Sequence, residues 1–256
     1  MFALFDSGLG GLTVVRQVRA LLPRHDILFL ADRAHVPYGD RTPGDLHRLL
    51  VRNVGWLASQ GADAIVMACN TSCAIAARYG YPDVDAPILD LIESAAIAIG
   101  DAGYAKIGVV ATAATVKTGA YGDTLRRIAP GVHVTEVAAP PLVPLVEAGR
   151  IEGDEPRAAV AEACAQLPAD VDAVVLACTH YPVLDAHFAA VLGRGVARID
   201  PAVEQAGRAV ALAASLSLPA GTGATRYATT GDAAGFAAGI ARILGDASPA
   251  VEVANP

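Results

Sequence analysis

Apolar bursts of four to six residues recur along the chain, separated by longer segments with helical spacing of apolar positions. Six bursts read as strands: FALF (Phe2–Phe5), ILFLA (Ile27–Ala31), AIVMA (Ala64–Ala68), KIGVVA (Lys106–Ala111), VHVTEV (Val132–Val137) and AVVLA (Ala173–Ala177). Several are apolar throughout, the pattern of parallel strands covered on both faces. Leu46, Leu49, Leu50 and Leu57 supply the apolar face of an intervening helix, with Thr42 placed to cap it and Pro43 at its first position. Gly61 and Gly149 suit helix stops. Strand and helix in alternation predict an α/β fold with mainly parallel sheets.

The pattern also repeats. Asp63-Ala64-Ile65-Val66-Met67-Ala68-Cys69 matches Asp172-Ala173-Val174-Val175-Leu176-Ala177-Cys178, identical or closely similar at every position. Each cysteine is followed by two polar residues, Asn70-Thr71 in one copy and Thr179-His180 in the other. A weaker echo pairs FALFDSG (Phe2–Gly8) with IGVVATA (Ile107–Ala113). The chain is therefore read as two similar α/β halves related by a pseudo-twofold axis, with the site in the cleft between them. Residues 1–97 plus 205–256 are assigned to the first half and 98–204 to the second. The tail from about Pro201 is expected to return to the first half, because a helix-rich tail needs a partner face.

Composition narrows the picture. The chain has 256 residues, 54% of them hydrophobic, which excludes wholesale disorder. No apolar run approaches the roughly 18 residues of a membrane span, and the N-terminal segment has no basic leader before a long apolar stretch. A cytoplasmic protein without membrane association is expected. A net charge of −7 without a basic run speaks against a nucleic-acid surface. The four cysteines, Cys69, Cys73, Cys164 and Cys178, do not imply disulfides in a reducing compartment. Cys69 and Cys73 have no second close Cys or His pair to complete a zinc site, so no metal is expected.

In open α/β sheets, ligands bind beyond the carboxyl ends of the strands. Cys69 and Cys178 both fall at such ends. If the halves face each other, the two thiols flank one cleft from opposite sides. Inversion of a stereocentre needs that arrangement: one group removes a proton from one face and the other delivers a proton to the opposite face. A thiolate on one side and a thiol on the other can exchange those roles. Cys73 and Cys164 read as packing. Asp6, in FDSGLGG, stands ready to assist Cys69; His180 comes two residues after Cys178; Glu147 lies in PLVPLVEAG. Gly8-Leu9-Gly10-Gly11 completes neither a dinucleotide fingerprint nor a P-loop, and its backbone N–H groups suit a carboxylate equally well. Ser7, Asn70, Thr71, Thr112, Thr115 and Thr179 all come just after strands, and Pro37-Tyr38-Gly39 makes a rigid turn. They read as a carboxylate-binding set. The chain has two lysines, Lys106 and Lys117, and neither is placed for a Schiff base. A cofactor-free route is expected, with the carbanion stabilised by donors in a closed, dry cleft.

DSGLGGLTV, ADRAHVPYG, VMACNTSCA, ATAATVKTGAY, PLVPLVEAG and LACTHYPVL occur in this order. Together they resemble the cofactor-independent aspartate/glutamate racemase family, from residue 2 to about 200, with a weaker echo in TTGDAAGFAAGIARILG. The resemblance implies that Cys69 and Cys178 are the paired acid/base thiols, Cys69 acting on the D-enantiomer and Cys178 on the L-enantiomer. It implies Asp6, Glu147 and His180 as assisting groups. Asp6, Ser7, Tyr38, Gly39, Asn70, Thr71, Thr115, Thr179 and His180 are implied to bind the substrate. The implied activity is interconversion of L- and D-glutamate, supplying D-glutamate for peptidoglycan; the alternative is aspartate or another acidic amino acid. Family members are often homodimers of varied geometry, so no interface is predicted. Two positions depart from the family pattern. Arg33 stands where a small Thr is common, and is expected to lie on the surface. Cys73 stands where Ala, Ser or Thr is more familiar, and it is given no catalytic role.

Overall fold

Strands form where the apolar bursts lie, and at four further places that carry no such signal. The structure, a computed structural model, describes residues 1–256. In chain order the strands are β1 (Phe2–Asp6), β2 (Ile27–Ala31), β3 (Ala64–Met67), β4 (Ile88–Asp90) and β5 (Lys106–Ala111). They continue with β6 (His133–Ala138), β7 (Ala173–Ala177), β8 (Ala197–Ile199), β9 (Thr225–Thr229) and β10 (Val251–Val253). Two sheets result, ordered β10-β9-β2-β1-β3-β4 and β6-β5-β7-β8, with every pairing parallel. Three of the unanticipated strands, β4, β8 and β10, are three residues long and lie at sheet edges. Segments so short have no periodicity to read; pairing with a neighbour creates them.

The helices are α1 (Leu12–Leu21), α2 (Pro43–Ser59), α3 (Asn70–Tyr79), α4 (Leu91–Ala102), α5 (Ala113–Thr118) and α6 (Ala120–Ile128). The others are α7 (Leu142–Glu147), α8 (Asp154–Cys164), α9 (Asp185–Leu192), α10 (Pro201–Ser215) and α11 (Ala233–Leu244). Thr42 Oγ1 accepts a hydrogen bond from the Asp45 N–H at 3.2 Å, capping α2 as its sequence announces. Gly61 and Gly149 come after α2 and α7 with φ of +79° and +73°, the left-handed region that glycine enters without cost from a Cβ. Helix α10 packs between α1 and α4, and Gln205 Nε2 donates to Met67 O at 3.1 Å. Strand β9 then pairs with β2, so the tail returns to the first sheet.

Side chains alternate across a strand, and in the second sheet the alternation feeds two different cores. Val110, Val174 and Leu176 point into a small core with Leu142, Leu145, Val160 and Phe188. Val109, Ala173, Val175 and Ala177 point the other way, into a core continuous with β1, β2 and β3. One apolar layer therefore ties the two sheets together. No helix is long and apolar enough to cross a membrane.

Candidate active site

Parallel pairing brings equivalent strand ends to one level. Asp6 stands opposite Ala31, Phe5 opposite Met67, and Ala111 opposite Ala177. Asp6-Ser7, Val36–Gly39 and Cys69–Thr71 therefore emerge together from the first sheet. Thr112 and Cys178–His180 emerge together from the second. These segments, with Val143, enclose one cavity of about 20 Å³. That is room for about one water molecule. A wider groove of about 710 Å³, bordered by α3, α4 and α6, contains neither thiol.

Cys69 is the residue before α3, in extended conformation, so its thiol lies at the first turn of that helix. Its Sγ is 3.9 Å from Ser7 Oγ. Burial, then the adjacent Asp6 carboxylate, pushes the thiol up to about 12, while Ser72 pulls it the other way. Asp6 is wholly buried. Its Oδ2 accepts from the N–H of Gly11 at 2.6 Å and from Thr179 Oγ1 at 3.4 Å. Its Oδ1 has no hydrogen-bond partner. Burial raises the Asp6 carboxyl above its ordinary value, opposed by His180 and the Gly11 N–H. A carboxyl raised in this way can exchange a proton.

The other thiol has a different neighbour. Cys178 Sγ is 3.6 Å from His180 Nδ1, and His180 Nε2–H donates to Glu147 Oε1 at 2.7 Å. Burial pulls the His180 imidazole down, but its bonds to Cys178 and Glu147 prevail and leave it well above its usual value. Glu147 Oε1 also accepts from the Leu9 N–H at 2.9 Å. Burial pulls the Glu147 carboxyl up, but hydrogen bonds and charge from His180, the Leu9 N–H and Arg33 together hold it below the usual carboxylate value. The result is a chain from Glu147 through His180 to Cys178, with an imidazole that retains its proton beside the sulfur.

The remaining polar residues divide. Ser7, Asn70, Thr71, Thr112 and Thr179 line the cavity. Asn70 Oδ1 accepts from the Tyr121 hydroxyl. Thr115 does not line the cavity; its Oγ1 stands behind, 2.9 Å from Thr112 Oγ1 and 3.2 Å from Thr71 Oγ1. Tyr38 and Gly39 line it, but the Tyr38 hydroxyl donates to Asp32 Oδ2 at 2.5 Å and accepts from Asn53 Nδ2 at 3.2 Å. Its hydroxyl is therefore engaged by Asp32 and Asn53. Glu147 reaches the cavity through His180. Cys73 is fully buried on α3 with its Sγ 3.6 Å from Met67 O, and Cys164 lies in the small core, so both pack as expected.

Arg33 corrects an expectation. It is not a free surface cation: its side chain is 21% exposed, with Nη2 3.7 Å from Glu147 Oε2 and the guanidinium 5.9 Å above the Phe236 ring. The reason is the C-terminal return, which packs α11 beside the turn after β2. Val143 and the Leu9 N–H also belong to the site, and the sequence reading does not single them out. Val143 lies four residues before Glu147, and that helical spacing is the signal that could have found it.

The fold and the site define a class: a two-sheet, parallel α/β protein with thiols at matching strand ends around one small cavity. The Asp/Glu/hydantoin racemase family profile matches residues 12–209, and the chain belongs to that family of isomerases. It is 45% identical over 203 residues to a glutamate racemase from Desulforudis audaxviator, covering 78% of this chain and 74% of that one. Its fold matches the crystal structure of glutamate racemase from Thermus thermophilus in complex with β-chloro-D-alanine. The TM-score is 0.89 at 36% identity, covering 99% of this chain and 96% of the other. The Francisella tularensis glutamate racemase in complex with D-glutamate gives the same TM-score at 25% identity, covering 99% and 97%.

Proposed function

We propose that this protein is a cofactor-independent glutamate racemase that works by two opposed thiols. The observation that carries the reading is the convergence of Cys69 and Cys178 on one narrow cavity, each with its own proton-handling support. From L-glutamate, the Cys178 thiolate takes the α-proton and the Cys69 thiol gives a proton to the opposite face. The products are D-glutamate, a Cys178 thiol and a Cys69 thiolate; the reverse reaction exchanges the roles. His180, held by Glu147, supports charge on Cys178, and Asp6 exchanges a proton with Cys69. Ser7, Asn70, Thr71, Thr112 and Thr179, with the Tyr38 and Gly39 backbone, bind the amino acid. Thr115 positions Thr71 and Thr112.

Electrostatics favour coupling between binding and ionisation. In the cavity, burial and Asp6 oppose a Cys69 thiolate. The ammonium group of a bound amino acid, placed nearer Cys69 than the substrate carboxylates are, lowers the cost of ionising that sulfur. A cavity of about 20 Å³ cannot hold a five-carbon amino acid, so its lining must move apart to admit one. We assign residues 1–97 plus 205–256 and 98–204 to the two moving bodies. A role in supplying D-glutamate for peptidoglycan, in the cytoplasm, goes with this reading.

Purified protein free of pyridoxal phosphate, incubated with L-glutamate in D₂O, is expected to lose optical rotation as α-deuterium enters. No turnover of glutamate in either direction would sink the proposal; turnover of L-aspartate instead would reassign the substrate. Cys73→Ser is expected to racemise at a near-unchanged rate, because that sulfur packs against backbone away from the cavity. A collapse in rate with the fold intact would assign Cys73 to the chemistry.

A further inference from the structure

Glu147 spends both oxygens on different partners. Oε1 takes the His180 Nε2–H and the Leu9 N–H. Oε2 has one charged neighbour, the Arg33 guanidinium at 3.7 Å. Arg33 comes from the turn after β2 in the first sheet, and Glu147 ends α7, which packs on the second. The contact therefore crosses the cleft. Arg33 also begins the segment whose next residues, Val36 to Gly39, wall the cavity. Behind it the guanidinium lies over the Phe236 ring of α11, 5.9 Å from the ring centroid.

We propose that Arg33 is a positioning residue: it clamps Glu147 across the cleft, so that closure of the Val36–Gly39 wall and alignment of the Glu147–His180–Cys178 chain occur together. With Arg33 seated, Oε2 is held and Oε1 stays turned to His180. With the sheets apart, the clamp is released and the carboxylate is free to rotate away from the imidazole. The charged groups around the clamp are few. His180 faces Glu147 directly, with Asp6 beyond it. On α11, the Asp232 carboxylate caps the helix start near Arg33, and Arg242 lies against Gly149 just past α7. Arg16 borders Val146 from the α1 side. Neither Arg16 nor Arg242 forms an ion pair with Glu147, so Arg33 is its only arginine partner within 4 Å.

The pH effect has a definite sign. Arg33 favours the ionised carboxylate, so removing its charge raises the Glu147 pKa. Activity that needs ionised Glu147 is then lost at a higher pH as the solution is acidified. An opposite charge at this distance moves a carboxylate by roughly one unit. The inference rests on the racemase reading, and its test separates the two. Arg33→Met and Arg33→Lys are compared with the parent in pH profiles of kcat/KM for glutamate, and the Glu147 side-chain ¹³C carboxyl signal is titrated in each. For Arg33→Met, the acid limb and the carboxyl titration are both expected to move up by about one pH unit, an approximately tenfold lower kcat/KM on that limb. Arg33→Lys is expected to restore most of the shift. A uniform drop in rate with an unmoved limb, or an unmoved Glu147 titration in folded Arg33→Met, overturns the clamp. If the parent itself does not racemise glutamate, the racemase reading fails and the carboxyl titration alone decides for or against the clamp.

Discussion

Cys69→Ser and Cys178→Ser are each expected to lose about 10²–10⁴-fold in kcat/KM, the usual range for a general acid or base. A serine hydroxyl in the same buried place ionises far less readily than a thiol. The loss must be equal in both directions for each variant, because the two enantiomers are equal in energy and the ratio of the two kcat/KM values is fixed at unity. The variants differ in what survives. With Cys69 intact, Cys178→Ser should still exchange the α-proton of D-glutamate with solvent; with Cys178 intact, Cys69→Ser should do so for L-glutamate. Exchange measured by NMR in D₂O assigns each sulfur its face. Near-normal racemisation in either variant would rule out the two-thiol mechanism, and exchange of the opposite enantiomer would reverse the assignment of roles.

Gly10→Ala and Gly11→Ala are expected to fail in different ways, although the residues are neighbours in one turn. A Cβ on Gly10 points across the cleft, into Thr179 Oγ1 and to 2.6 Å from His180 Nδ1. Those groups belong to the second sheet and can recede, so the fold survives while His180 leaves its bond with Cys178. A displacement near 1 Å in such a site costs on the order of 10²-fold in rate. A Cβ on Gly11 points into the first sheet, against Asp6 Cβ and to 2.8 Å from the Phe29 ring. Nothing there can recede without repacking a core, which costs about 1–3 kcal/mol. Rates and melting temperatures measured together should show Gly10→Ala folded and slow, and Gly11→Ala several degrees less stable. A normal rate in Gly10→Ala would show that His180 does not depend on close approach of that turn.

Much of this site is legible along the chain because strand ends are marked. Cys69, Cys178, Asp6, Ser7, Asn70, Thr71 and Thr179 all lie just past an apolar burst, and parallel strands deliver the residues at their carboxyl ends to one rim. His180 is legible from its spacing to Cys178. Thr115 is harder to separate from Thr112, since both come after β5; the cap at Thr112 turns the chain so that only Thr112 faces the cavity. Tyr38 is legible as a wall residue, but the direction of its hydroxyl depends on Asp32, at the start of the same turn, and on Asn53, which comes from α2. Arg33 escapes the sequence for the same kind of reason. Its partners, Glu147 and Phe236, are far along the chain, and no local pattern announces them.

The sequence by itself determined the parallel α/β class, the paired thiols and the polar residues behind them. Each is written in local periodicity, in a repeated segment, or in the residues immediately past a strand. Only the tertiary structure decided that the two thiols share one small cavity, and that Cys69 faces a carboxylate while Cys178 faces an imidazole. It alone decided that Arg33 closes on Glu147. These outcomes depend on how two sheets pack through a common apolar layer, and that packing joins residues whose separation in the chain leaves no trace in any window of it.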